Sequence, residues 1–417
     1  MTAPVLDEDP TRCMKCGFCM SVCPVYREDL LEGHVARGRN MLIKAVANGQ
    51  ATPDDGYWEA LSYCMLCKRC TSVCPAKLSP EKITLTAKNR IIETTGLPPM
   101  RRMVNRALLN HRSTLARIVG TAALLPTIAA NRKLPLRHLV DTAKIFSGSV
   151  SLPLLSSPPL KKRIGAITHP SNRQAVKGKV AIFPGCVFEF FQAHIGEAMV
   201  TALAEAGYVV AYQSEDLGCC GQAVHSAGDF DTARILAKKN IDALDAFDIV
   251  ITGCATCGSG LRAYGQWFEK GDDQREKADV FSRKVMDFSE FMAEQNQQPE
   301  KKTGRTADVL TVTYHDPCHL KQHQGVFEAP RKVLSSLPGV RYIEMENADA
   351  CCGLGGTFGI AHRDISSAIL EKKINAIVKT KADAAVTSCP GCLMYLAHGI
   401  RRHQLPVKVL HIAELMG

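Results

Sequence analysis

Two twelve-residue runs with the same cysteine spacing constrain this chain more than any other feature. The first is CMKCGFCMSVCP at residues 13–24, and the second is CMLCKRCTSVCP at residues 64–75. Each run reads C-x2-C-x2-C-x3-C-P, so three cysteines stand close together and a fourth follows at a longer interval. The proline after each fourth cysteine has no backbone N–H and turns the chain away from the cysteines. Eight thiols in this arrangement predict metal ligation.

This spacing is the one that bacterial ferredoxins use for 4Fe-4S clusters, in which three close thiolates hold one cluster and the fourth reaches the other. On that rule the ligands of one cluster are Cys13, Cys16, Cys19 and Cys74, and those of the other are Cys64, Cys67, Cys70 and Cys23. Structural zinc is the alternative, since C-x2-C is also a zinc spacing. Zinc explains neither the triple run nor the paired prolines, so we expect two 4Fe-4S clusters and a role in electron transfer.

The length and the cysteine usage limit the class of protein. A chain of 417 residues predicts two to four domains at about 100–200 residues each. Its 18 cysteines stand in metal-type groups, and no charged and then apolar leader precedes Cys13. We therefore expect a reducing, cytoplasmic location.

The formal net charge of +10 comes from one segment. Residues 101–163 contain twelve Lys or Arg and one acid, Asp141, whereas the rest of the chain is close to neutral. A nucleic-acid partner is therefore not expected. Residues 101–109 and 115–125 place Leu, Val and Ile at helical spacing opposite Arg, which fits either an amphipathic helix on the inner face of the cell membrane or a helical linker that packs on protein. The longest uncharged stretch, residues 118–130, is too short for a transmembrane helix.

Between and after the two runs the pattern is helical. Helices are predicted over residues 34–49 up to Gly49, from Asp54 or Asp55 to the second run, and over residues 82–97 up to Gly96. This module, residues 1–98, resembles the α-helical ferredoxin domain in iron-sulfur subunits of succinate dehydrogenases. The basic helical segment and a Ser/Pro-rich linker then occupy residues 99–178.

The C-terminal half contains an internal repeat. Its copies, residues 179–305 and 306–417, each hold a single cysteine, then a Cys-Cys-Gly triplet 33 positions later, then a C-x2-C pair. The first cysteines of the copies and the first members of their Cys-Cys pairs are both 132 positions apart. The ten cysteines are Cys186, Cys219, Cys220, Cys254 and Cys257 in the first copy, and Cys318, Cys351, Cys352, Cys389 and Cys392 in the second.

The first copy alternates strand and helix patterns. Strands are predicted at 179–184, 208–213 and 248–252, with helices at 192–206 and 227–246, which indicates a largely parallel sheet. All the cysteines except the Cys-Cys pairs then follow the carboxyl ends of strands, where open α/β sheets place ligands. Gly221 and Gly353 allow a tight loop to bring two adjacent thiolates to one centre. The predicted fold is an α+β multidomain chain with one helical ferredoxin module and two α/β repeats.

The repeat resembles the CCG cysteine-rich domain of heterodisulfide reductases, and the whole plan resembles the iron-sulfur subunit of glycolate oxidase (glycolate dehydrogenase). The residues that carry the second resemblance are GHVARGRNMLIKA, YHDPCHLKQHQGV, PRKVLSSLPGV and SCPGCL. It implies an oxidoreductase in which an FAD-containing partner subunit oxidises the 2-hydroxy acid and this chain passes electrons towards a quinone or another acceptor. The sequence agrees, because no strand is followed by the G-x-G-x-x-G motif of dinucleotide binding.

Three alternatives stay open. Iron-sulfur subunits of lactate-utilisation and anaerobic glycerol-3-phosphate dehydrogenase systems share parts of this plan. The ten CCG cysteines form two complete sets, and such sets resemble the ligands of noncubane iron-sulfur centres in heterodisulfide reductase. A heterodisulfide or thiol reductase subunit is therefore the second hypothesis, and a zinc or redox-regulatory scaffold is the third.

Some polar residues near the cysteines have two interpretations. Lys68 and Arg69 either offset the charge of the second cluster or are solvated. His225, His315 and His319 either contact a centre or are ordinary loop residues. Asp316 is predicted to cap the following helix.

Overall fold

The computed structural model describes residues 8–97, 158–170, 176–213, 216–295 and 309–417, together with residues 102 and 156. Residues 8–97 contain helices and no strand, which confirms the helical N-terminal module. The helices are α1 (Phe18–Val22), α2 (Tyr26–Asp29), α3 (Ala36–Ala47), α4 (Asp55–Ser62), α5 (Arg69–Ser72) and α6 (Pro80–Thr95), with 3-10 turns at Pro10–Arg12 and Glu32–His34. The basic helices predicted at 101–109 and 115–125 lie outside the described residues.

The ends of these helices follow from their local sequence. The carboxylate of Asp54 accepts a hydrogen bond from the Tyr57 N–H at 2.9 Å and so caps α4. Helix α6 has Pro80 at its first position and ends at Gly96, whose φ of 74° favours glycine. The apolar faces of α3, α4 and α6 meet in a small core of Ile43, Tyr57, Leu61, Ile83 and Ala87.

The first α/β domain is built on a five-stranded sheet in the order β1-β3-β2-β4-β5. Only the short β1 is antiparallel to its neighbour. The strands are β1 (Ile167–Thr168), β2 (Gly178–Ile182), β3 (Tyr208–Ala211), β4 (Val250–Thr252) and β5 (Val285–Asp287). The helices are α7 (Leu160–Arg163), α8 (Gly185–Phe190), α9 (Ala193–Glu205), α10 (Gln222–Ser226), α11 (Phe230–Leu244), α12 (Ala255–Ala263), α13 (Asp273–Arg283) and α14 (Phe288–Glu294), with a 3-10 turn at Tyr264–Trp267.

The second α/β domain has a four-stranded parallel sheet in the order β7-β6-β8-β9. The strands are β6 (Leu310–Tyr314), β7 (Val340–Tyr342), β8 (Ala384–Thr387) and β9 (Lys408–His411). The helices are α15 (Cys318–Gln324), α16 (Glu328–Ser336), α17 (Phe358–Ala361), α18 (Arg363–Lys379) and α19 (Pro390–Arg402), and Ile412–Leu415 is a 3-10 turn. The order β7-β6-β8-β9 matches β3-β2-β4-β5 of the first domain, so the repeat seen in the sequence is also a repeat of topology.

The two α/β domains share one apolar core, to which the first contributes Phe188 and Phe288 and the second contributes Val312 and Leu334. Their cysteine-bearing loops also meet. The Ala255 N–H donates to the Ser388 carbonyl at 3.0 Å, and Nε2 of His411 lies 2.8 Å from the Gly253 carbonyl. The loops after β4 and β8 are therefore held against each other.

The helical module packs on the second α/β domain. The Tyr63 ring is stacked between His34 and His362, with centroid distances of 3.4 and 3.9 Å. Nη1 of Arg69 donates to the Asp349 carbonyl at 2.9 Å. Beside these contacts lies an apolar cluster of Val25, Met65, Cys351, Phe358 and Ile369. No helix within the described residues is long and apolar enough to cross a membrane.

Candidate metal centres

The first cavity of the helical module is lined by cysteines from both twelve-residue runs. Cys13, Cys16 and Cys19 come from the first run, and Cys70 and Cys74 from the second. Cys16 is exposed, so this cavity faces the surface. The arrangement brings the first predicted set of four ligands together.

The second cavity lies deeper in the same module. It is lined by Cys64, Cys67 and Cys70 of the second run and by Cys23 of the first. Cys70 borders both cavities, so its assignment to the second set rests on the motif rule. Burial raises the pKa of Cys67 to about 12, so metal binding at neutral pH must displace its proton.

The loops between these cysteines have an unusual backbone conformation that recurs in both runs. Positive φ angles occur two and four positions after the first cysteine: 56° at Lys15 and 89° at Gly17, then 53° at Leu66 and 61° at Lys68. For a non-glycine residue this conformation costs about 1–2 kcal/mol. The shared turns direct successive thiols of one run towards one point, which is what a multi-iron cluster requires.

Arg39 is a residue of this site that we did not identify from the sequence. It lines the second cavity and is 3% exposed, and its Nε has no hydrogen-bond partner among the described residues. Burial opposes its charge, but the surrounding cysteines, led by Cys64 and Cys23, raise its pKa. A buried cation here offsets the negative charge of thiolate ligands. Arg39 lies within the GHVARGRNMLIKA segment, so the family resemblance pointed to its neighbourhood.

The five cysteines of the first α/β domain converge at the carboxyl edge of its sheet. The thiol of Cys219 contacts Cys186, and Cys220 contacts both Cys219 and Cys257. Cys254 completes the group through its contact with Cys257, whose N–H donates to the Cys254 sulfur at 3.4 Å. Thiol hydrogen bonds from Cys219 and then Cys257 lower the pKa of Cys220 to about 5.

The second α/β domain assembles the equivalent five thiols. The sulfur atoms of Cys352 and Cys392 are 3.1 Å apart, and the Gly353 N–H donates to the Cys351 sulfur at 3.3 Å. A hydrogen bond from the Cys392 thiol lowers the pKa of Cys389 to about 7. Burial, and after it the charges of nearby cysteines that include Cys352 and Cys389, raise the pKa of Cys318. The φ angles of 79° at Gly221 and 100° at Gly353 confirm that both Cys-Cys loops need glycine.

The histidines near the cysteines differ in environment. His225 is stacked between Phe230 and Trp267 at 4.6 and 4.4 Å, and burial lowers its pKa to about 3, so it is a packing residue. Nδ1 of His319 is 3.6 Å from the Cys318 sulfur. The His315 ring is fully buried beside Cys352 and Cys392.

The prediction that Asp316 caps the following helix is wrong. No side chain caps α15, and Pro317 occupies the N-cap position of this helix. The carboxylate of Asp316 instead receives two hydrogen bonds from Arg331, at 2.9 and 2.8 Å, and is 1% exposed. Local sequence cannot distinguish a helix-capping Asp316 from one in a buried ion pair, because its cation, Arg331, lies 15 positions away.

The second cavity of the helical module adjoins the thiols of the second α/β domain. Cys67 is close enough to Cys318 and Cys351 to influence the pKa of each. His323 joins all three units at this place: its Nε2 donates to the Leu66 carbonyl at 2.9 Å, and its Nδ1 is 2.9 Å from the Ser259 hydroxyl. The four thiol groups are therefore parts of one packed assembly.

Comparison with protein families matches two kinds of domain in this chain. The 4Fe-4S dicluster domain matches residues 9–78, and the CCG cysteine-rich domain matches residues 180–262 and 312–397. The first match favours iron-sulfur ligation over structural zinc in the helical module. Together the matched ranges contain every cysteine that we predicted as a ligand.

Several known proteins are similar to this chain over much of its length. The "Probable glycolate oxidase iron-sulfur subunit" of Bacillus subtilis is 32% identical over 97% of this chain and 92% of its own length. One of the subunits of the CoM/CoB fumarate reductase of Methanothermobacter marburgensis is 28% identical over 97% of this chain and 71% of its own length. "Lactate utilization protein A" of Geobacillus is 31% identical over 57% of this chain and 99% of its own length.

Proposed function

Since this chain belongs to the family of glycolate oxidase iron-sulfur subunits, we propose that it collects electrons from an FAD-containing partner subunit that oxidises glycolate or a related 2-hydroxy acid. The chain is an iron-sulfur electron-transfer component of an oxidoreductase. The oxidation of the hydroxy acid belongs to the partner in this proposal.

The two cysteine-lined cavities of the helical module support the proposed ligand sets. Cys13, Cys16, Cys19 and Cys74 would hold one 4Fe-4S cluster, and Cys64, Cys67, Cys70 and Cys23 the other. Bound clusters supply one-electron transfer at potentials that depend on nearby charge, burial and hydrogen bonds to sulfur. Arg39 would raise the potential at the second set because its buried positive charge favours the more negative, reduced state.

The packing of the second cysteine run on the second α/β domain is the observation that carries the proposed path. Nε2 of His323 donates to the Leu66 carbonyl at 2.9 Å, next to Cys67, and Cys351 lies in one apolar cluster with Met65 and Cys23. This packing gives the ligand sets an order. The exposed set with Cys16 lies at one end, the set with Cys67 follows, and the CCG sets lie beyond it. We assign the flavoprotein to the exposed end, and a quinone or another acceptor to the CCG end. Peripheral membrane binding by residues 101–163 would bring a quinone within reach.

The path can be tested in the complete complex, purified anaerobically, by replacing one ligand. Cys67→Ser should remove iron from the second set and leave glycolate able to reduce the flavin, while quinone reduction falls to background. Ser72→Ala is the matched control, because this exposed residue belongs to the same run and, among the described residues, its hydroxyl donates only to the Arg69 carbonyl. Normal quinone reduction by a C67S complex that has lost this iron would refute the path.

A thiol or heterodisulfide reductase is the second candidate function, because both CCG domains keep all five cysteines. The reaction would deliver two electrons and two protons to a disulfide and release two thiols. It predicts that the chain alone reduces a disulfide with a reduced viologen as electron donor, and that Cys352→Ser abolishes this activity while the N-terminal clusters stay intact. Failure of the isolated chain to release thiols would exclude this candidate.

A further inference from the structure

The two CCG sites differ at one buried position next to the thiols. We propose that His315 is a nitrogen ligand of the metal centre in the second CCG domain, and that the first domain has no such ligand. The inference rests on the proposed metallation of the CCG sites. It concerns one centre only, so it can fail while the electron-transfer function stands.

The His315 ring is buried without a nitrogen or oxygen partner. The residue is 0% exposed, and neither Nδ1 nor Nε2 has such a hydrogen-bond partner among the described residues. A buried polar atom that has lost its water and gained no partner destabilises the folded protein. The backbone at this position is paired, because the His315 N–H donates to the Val386 carbonyl at 2.9 Å and its carbonyl accepts from the Thr387 hydroxyl at 3.3 Å. Within the described residues, the polar atoms of His315 that lack such a partner are therefore its two ring nitrogens.

The ring faces two thiols at a distance suited to a shared metal ion. One ring nitrogen of His315 and the sulfur atoms of Cys352 and Cys392 all lie within 4.8 Å of one another, and all three residues are buried. Metal–nitrogen and metal–sulfur bonds of about 2.0–2.3 Å place the ligand atoms of a tetrahedral ion about 3.3–3.8 Å apart. Imidazole and thiolate ligands together suit iron and zinc. Since the three ligand atoms already lie within 4.8 Å of one another, they need to move little to bind one ion.

The first CCG domain shows that the fold does not require histidine here. Phe183 stands 132 positions before His315 and is also fully buried at the end of its strand. Its N–H donates to the Ile251 carbonyl at 2.8 Å, the counterpart of the bond from His315 to Val386. In the first repeat, an apolar ring therefore occupies the position that the imidazole of His315 occupies in the second. The imidazole is thus a chemical difference between two otherwise equivalent sites.

The ligand assignment can be tested on anaerobically grown crystals of the whole chain by anomalous diffraction at the iron absorption edge. We expect iron at about 2.0–2.2 Å from a ring nitrogen of His315. Iron in the second site with both ring nitrogens more than about 3 Å away would overturn the assignment. Iron in the helical module alone would overturn the metallation of the CCG sites and, with it, this inference.

Variants provide a second measurement that does not depend on activity. In protein labelled with ¹⁵N only in histidine, pulsed electron paramagnetic resonance of the reduced second centre should show a directly bound nitrogen. His315→Phe introduces the residue of the first repeat and should abolish that signal, whereas His319→Phe and His398→Phe should keep it. A signal that persists in H315F, or one lost only in H319F, would refute the proposal. The signals of the two N-terminal clusters report whether H315F is folded.

Discussion

Removal of the Arg331 guanidinium should destabilise the loop that carries His315 and Cys318. Arg331 holds Asp316 by two hydrogen bonds, and it also contacts Glu344 through Nε and Nη2 at 2.7 and 2.8 Å. The two acids differ in exposure: the side chain of Asp316 is 1% exposed and that of Glu344 is 51% exposed. The perturbation is Arg331→Met, which keeps the apolar stem and removes the charge.

The expected effect follows from that difference in burial. An uncompensated charge on buried Asp316 costs about 3–5 kcal/mol of unfolding free energy. Loss of the exposed pair with Glu344 costs about 0–1 kcal/mol. Asp316→Asn removes the buried charge, so the double variant R331M/D316N should be more stable than the sum of the single losses predicts, with a coupling of about 0.5–3 kcal/mol.

The assay is anaerobic urea denaturation followed by far-ultraviolet circular dichroism, with hydrogen exchange of residues 315–318 as a local measurement. Glu344→Gln is the matched control, because it removes the exposed half of the same network. The reasoning is refuted if R331M lies within about 1 kcal/mol of the wild type, or if E344Q loses as much stability as R331M.

Three further predictions concern stability. Gly353→Ala should prevent the second CCG site from assembling, since its Cβ would lie 2.6 Å from a backbone carbonyl oxygen. The Cβ of Gly356→Ala would meet no described atom within 4 Å, so this control should lose only the stability that a positive φ costs a non-glycine residue. Thermal unfolding compares the two variants, and equal losses of stability would contradict the predicted clash. Burial raises the pKa of Asp287 to about 6, so the folded protein gains stability as the pH falls. Relative to Asp287→Asn, the wild type should lose about 1 kcal/mol of unfolding free energy between pH 5 and pH 7 in urea denaturation. A stability difference that stays constant with pH would contradict this prediction. His323→Gln removes the half-buried bridge between the three units and should increase hydrogen exchange in residues 64–70. Unchanged exchange would show that the bridge contributes nothing.

Local patterns predicted much of this molecule correctly. The helical N-terminal module, the largely parallel sheet of the first repeat and the start of α4 at the Asp54–Asp55 pair follow from periodicity and capping. These features depend on residues that are close in sequence or on a duplication that is visible in it. The eight N-terminal cysteines also lie around two cavities, and only Cys70 borders both of them. Which thiol binds which cluster stays a prediction.

The failures have a common physical cause. Local sequence predicts that Asp316 caps the helix next to it, but its partner Arg331 comes from another helix. Arg39 carries no local signal of its burial, because its place against the cysteines depends on how α3 packs on the second run. His315 could not be separated from an ordinary loop histidine until its lack of a nitrogen or oxygen partner was visible. Each of these properties is set by contacts between distant segments.

The sequence by itself determined the chemistry of the ligands, the number of thiol groups and the division into one helical module and two repeats, because spacing and periodicity are local properties of the chain. The tertiary structure alone decided that the second cysteine run packs on the second α/β domain, that Arg39 is buried against the second set, and that the two CCG sites differ in surroundings. Burial and proximity arise only when separate segments pack together, and these two quantities set the electrostatics on which electron transfer depends.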